Sequence, residues 1–119
     1  MKIIGELNGI TIVEHEGVFY QRFSNSGTAI FWRKSHMVKI NPRSKSAVVA
    51  SELKKEEIKG KIFELENGFF FLYLGMVYFR NLNGETKVIL SNSNTTENII
   101  EKLELEFQKS EEECFVLSN

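Results

Sequence analysis

Three Asn-Gly dipeptides, Asn8-Gly9, Asn67-Gly68 and Asn83-Gly84, each stand between runs rich in β-branched and aromatic residues. A two-residue type I′ turn needs positive φ at both central positions, which Asn and Gly adopt at low cost. The dipeptide therefore reverses a chain into a hairpin, and three of them commit most of this chain to antiparallel strands.

Around the first turn, MKIIGEL and ITIVEH read as paired strands. Glu16-Gly17 permits a second reversal into VFYQRF, and Ser24-Asn25-Ser26-Gly27 a third into TAIFWRK. Residues 36–41 read as a fifth strand, closed by the only proline, Pro42. Ser51 is placed to cap a short helix over 52–59, with Gly60 as its left-handed C′ residue, while 47–50 either extends that helix backwards or belongs to a strand. KIFELE, FFFLYL, VYFRNL and ETKVILS are further strands. The unbroken apolar run at 69–74 predicts a strand covered on both faces. After residue 94, Thr95 or Thr96 is positioned to cap a last helix whose Ile99, Ile100, Leu103 and Phe107 form one apolar stripe, with Glu97, Glu101 and Glu104 off it. The segment 114–117 reads as an apolar tail that adds an edge strand or docks.

The expected fold is α+β. Antiparallel β-meanders of about seven or eight strands form a bent sheet or partial barrel, with a short middle helix and an amphipathic C-terminal helix packed on it. With 119 residues, 42% of them hydrophobic, one domain over 1–119 has enough apolar surface for a core. The single cysteine excludes an internal disulfide, Glu6 and Asn8 interrupt any signal-peptide apolar run, and 69–74 falls short of the roughly 20 apolar residues of a membrane span. The expectation is a cytoplasmic protein with no membrane partner.

The stretch VFYQRFSNSGTAIFWRKSHMVKINPRSK at 18–45 carries Arg22, Arg33, Lys34, Lys39, Arg43 and Lys45, and no acid occurs between Glu16 and Glu52. From Glu97 to Glu113 seven glutamates face two lysines. That split can orient a partner or bring two copies head to tail. Strand alternation puts Val18, Tyr20 and Arg22 on one face, and Ile30, Trp32 and Lys34 on one face of the next strand. Tyr20, Arg22, Trp32, Arg33, Lys34, Lys39 and Arg43 are therefore the candidate ligand- or partner-binding residues, with Phe19, Phe23 and Phe31 assigned to the core. Stacking rings beside cations suit single-stranded nucleic acid or a nucleotide; rings in the core with cations reaching to solvent explain the same pattern.

Catalytic vocabulary is poor. All sixteen acidic residues are glutamate, so aspartate-dependent mechanisms would have to run on Glu. Glu14-His15-Glu16 on a strand splits its histidine from its carboxylates, and no paired zinc spacing occurs. Cys114 lies between glutamates and an apolar tail, an environment that suppresses thiolate. A small ribonuclease built on Glu14, Arg22, Arg33, Lys34 and His36 has the right residue types only. No phosphate-cradling glycine motif is present. The reading is a non-catalytic module without metal or cofactor that binds another protein or itself, with nucleic-acid or nucleotide binding and a ribonuclease as alternatives.

One echo crosses the chain. Gly17-Val-Phe-Tyr20-Gln-Arg22 resembles Gly75-Met-Val-Tyr78-Phe-Arg80. If it marks a duplication, Arg22 and Arg80 occupy matching positions of two meanders, each followed by a helix.

Overall fold

Four strands, a helix, four strands and a helix follow one another in the computed structural model, which describes residues 1–24, 30–92 and 97–118. The strands are β1 (Lys2–Leu7), β2 (Ile10–His15), β3 (Val18–Phe23), β4 (Phe31–Lys39), β5 (Ile62–Leu65), β6 (Gly68–Tyr73), β7 (Met76–Asn81) and β8 (Thr86–Asn92). The helices are α1 (Lys45–Glu52) and α2 (Glu97–Ser118), with a 3-10 turn at Lys55–Glu57. This is an antiparallel α+β fold with the sheet order β1-β2-β3-β4-β8-β7-β6-β5. Its residues group into two compact units, Met1–Lys34 with Asn92–Asn119, and Ser35–Ser91.

Three hairpins turn as type I′ requires. Asn8 and Gly9 have φ of 50° and 84°, Glu16 and Gly17 51° and 80°, and Leu74 and Gly75 47° and 80°. Neither Asn67 nor Asn83 takes positive φ, so the second and third Asn-Gly dipeptides do not make the expected two-residue type I′ turn. Asn81 N and the Glu85 carbonyl close the loop around Asn83-Gly84. At the second dipeptide Leu65 pairs with Gly68, so Glu66 and Asn67 make the turn and Gly68 opens β6. A Cβ on Gly68, at φ 153°, would stand 2.1 Å from the Arg80 carbonyl oxygen. The reversal expected at 24–27 and the caps expected from Thr95 or Thr96 lie outside the described residues.

In the first unit, α2 packs Leu103 and Phe107 on Val13, Tyr20 and Trp32, with Ile100, Met1 and Val18 around them. In the second, Ala47 and Ala50 of α1 pack on Phe71, Tyr78 and Val88. The run at 69–74 is covered on both faces at its middle, where the adjacent and oppositely directed Phe70 and Phe71 are both fully buried. β6 nevertheless lies beside the edge strand, and Leu74 ends the run in the turn, 71% exposed.

Three elements are corrected. The expected fourth and fifth strands are one continuous β4. The middle helix is the backward extension, not 52–59. Ser44 Oγ accepts from Ala47 N, and Leu53 leaves the helix with ψ 133°. The reason is packing: Ala47 and Ala50 are a buried i, i+3 pair, whereas 52–59 offers Leu53 and Ile58 among charges. Finally, 114–117 is part of α2 rather than an edge strand.

The echo extends well beyond six residues. β2 and β6 have equal lengths and start 58 residues apart, as do β3 and β7, and the turns joining them have nearly the same φ values. Each meander is followed by a helix, and each helix packs against the other meander's strands within its unit.

Candidate functional site

Both arginines of the echo are interior supports. On β3, Arg22 is 8% exposed; its Nε and Nη2 each donate to Glu104 at 2.9 Å, a bidentate clasp on α2. Trp32 Nε1 donates to the same carboxylate at 2.5 Å, and the guanidinium lies 4.2 Å from the Phe107 ring centre. The Arg22 hydrogen bonds hold the Glu104 carboxyl below the usual carboxylate range; burial opposes them, and Trp32 and Gln108 reinforce them. Glu104, expected off the apolar stripe, is therefore the polar centre of the helix-sheet contact.

On β7, Arg80 reaches the end of α1. Nη1 donates to the Leu53 carbonyl at 2.5 Å, Nη2 to that of Ala50 at 2.8 Å, and Nε to Thr86 Oγ1 at 2.8 Å. Desolvation lowers the Arg80 pKa. Burial, followed by Tyr73, raises that of Tyr78.

Strand register builds a corresponding row beside each arginine, alike at its two ends. Glu6 pairs with Thr11 and Thr11 with Arg22 in the first unit; Glu64 pairs with Phe69 and Phe69 with Arg80 in the second. Each row lines a cavity. The first, of 370 Å³, is bordered also by Ile3, Gly9, Ser24 and Phe107. The second, of 380 Å³, is bordered also by Lys55, Leu65, Asn81 and Leu82.

Tyr20 and Trp32 are 5% and 3% exposed, so these two sequence-selected rings lie under α2 with Arg22. Arg33 is half-buried with its guanidinium 5.2 Å from the Phe31 ring, and Lys34 is exposed. In the second unit Lys39 and Arg43 are exposed, and Arg43 N donates to Asn41 Oδ1. The structure thus joins Arg22 and Trp32 on Glu104, packs Tyr20 beside Trp32 under α2, and puts Lys34 at the surface.

The rings assigned to the core behave differently. Phe31 is 43% exposed and stacks on Phe23 at 4.8 Å with 12° between planes; Ile30 is 48% exposed. Hydrophobicity alone could not place them. Alternation separates Phe31 from Trp32, but only the choice of face made by α2 says which is covered.

His15 Nδ1 lies 3.6 Å from Glu106 Oε2 and Nε2 lies 3.8 Å from Glu16. Among the described residues no three His, Cys or Glu side chains gather to hold a metal ion, and no helix is long and apolar enough to cross a membrane. No protein-family model matches the chain, nor does any curated protein or solved structure.

Proposed function

We propose that this chain is a non-catalytic binding module that engages another protein through the aromatic ledge of its first unit. One observation carries the reading: Phe31, nearly half exposed, is stacked on Phe23 and flanked by the Arg33 guanidinium. A stacked aromatic pair rimmed by a cation has the composition of an interface hot spot. The buried polar groups, by contrast, are engaged in architecture: Glu104 with Arg22 and Trp32, and Arg80 with α1. A nucleic-acid partner would have to stack on this same ledge, because Tyr20 and Trp32 are covered.

The test is capture from the host extract by wild-type protein and by Phe31→Ala and Arg33→Glu, with light scattering on the purified chain. The reading expects a discrete partner lost from both variants. A strict monomer that captures nothing, or capture indifferent to both changes, rejects it. Affinity for a single-stranded oligonucleotide that falls steeply with salt would move the reading to nucleic acid.

A further inference from the structure

The two cavities share an edge-strand glutamate and an arginine at matching positions. They differ at the middle of the row, where Thr11 stands in the place of Phe69, and in what meets the glutamate. In the second unit the edge-strand carboxylate is occupied: Lys55 places its ammonium on Glu64 Oε1 and 5.4 Å from the Phe69 ring centre. The lysine enters from the 3-10 turn after α1, alongside Arg80, which is bound to backbone carbonyls. This cavity therefore contains a carboxylate, an aromatic wall and a lysine supplied by the chain itself.

In the first unit the corresponding row presents its carboxylate with no lysine on it. Glu6 is exposed at the cavity rim; Oε1 accepts from Gly9 N at 3.1 Å, and among the described residues Glu6 makes no ion pair. Arg22 lines the cavity, but its charge is matched by Glu104, so Glu6 supplies the uncompensated charge of that trio. Thr11 and Ser24 add polar residues to the lining, and Phe107, with the Arg22 guanidinium 4.2 Å from its ring centre, and Ile3 add apolar ones. At the position 58 residues after Lys55 the sequence has Glu113, an acid in place of the base.

We propose that the cavity lined by Glu6, Thr11, Ser24 and Phe107 takes a primary ammonium group, the side chain of a lysine on the partner protein, with Glu6 as its counter-ion. Lys55 in the second cavity is the built-in likeness of that ligand. The proposal rests on the binding-module reading only for the source of the lysine; the chemistry of the cavity is testable without any partner. An exposed ion pair of this kind adds little affinity by itself, so its contribution is register and selectivity within a larger contact.

The probe is Nα-acetyl-lysine methylamide, titrated into isotopically labelled full-length protein and followed by amide chemical shifts. The expected result is a set of shifts centred on Gly5, Gly9 and Thr11, lost in Glu6→Gln and absent with the uncharged norleucine analogue. Lys55→Ala, which vacates the second cavity, should add a second set around Gly68, Phe69 and Gly84. Unchanged spectra, equal shifts with norleucine, or shifts that survive Glu6→Gln overturn the proposal. Lys55→Ala without a second set overturns the equivalence on which it stands. Loss of capture by Phe31→Ala speaks only to the partner-binding reading, so the two fail separately.

Discussion

Arg22 and Arg80 occupy matching places in two similar meanders, yet they hold their helices by different chemical groups. The helices explain the difference. α1 ends at Glu52, so Arg80 meets the carbonyls of a last helical turn, which lack intrahelical donors and form the negative end of the helix dipole. α2 continues well past the residue Arg22 faces, its carbonyls are engaged along the helix, and the arginine takes the side-chain carboxylate of Glu104 instead. A clasp on carbonyls does not titrate in the acid range, whereas a clasp on a carboxylate does. The matching position is thus acid-sensitive in one unit and acid-insensitive in the other.

Breaking the first clasp should cost most. Arg22→Ala leaves Glu104 beneath α2 without its cation, and urea unfolding should show a loss of about 4 kcal/mol. Gly68→Ala comes next. A methyl group driven toward the Arg80 carbonyl oxygen distorts the β6–β7 pair, with a loss of about 3 kcal/mol, while Gly17→Ala meets no neighbouring atom within 4 Å and pays only for its positive φ. Arg80→Ala, which removes hydrogen bonds to neutral carbonyls that short-range water can partly replace, should cost about 2 kcal/mol.

Acid should separate the two clasps. The Glu104 carboxyl is held below its ordinary value of 4.5, so its stabilising share is full above that value and disappears as pH falls through the lowered one. The urea midpoint of Arg80→Ala should therefore follow the wild-type acid profile. In Glu104→Gln that part of the acid sensitivity is missing, and a profile unchanged from wild type would refute the assignment. The smallest effect is expected outside both clasps. Phe31→Ala should cost about 1 kcal/mol, the loss of its stacking on Phe23, while abolishing partner capture.

Much of this was legible in the residues. Asn8-Gly9 and Glu16-Gly17 located hairpins because positive φ is a local property, and the alternation of β3 put Tyr20 and Arg22 on one face because side-chain direction is local too. The short helix was misplaced because 52–59 has a capping serine and a terminal glycine, signals as good as those around 45–52. Burial of Ala47 and Ala50 against Phe71 and Tyr78 outweighed them. The candidate site was half legible. Arg22 and Trp32 were selected for charge and aromaticity, but their joint partner Glu104 is 72 or more residues away, and no spacing rule reaches that far.

The sequence by itself determined an antiparallel meander architecture of about eight strands, the hairpins at Asn8-Gly9 and Glu16-Gly17, and an arginine at matching points of two meanders, because turn chemistry and two-residue alternation act over a few bonds. Tertiary structure alone decided which face each helix covers, which aromatics are thereby left at the surface, and whether an edge-strand glutamate meets a lysine of its own chain. Those outcomes depend on contacts closed across long loops, where burial and pairing compete between segments that the chain order keeps apart.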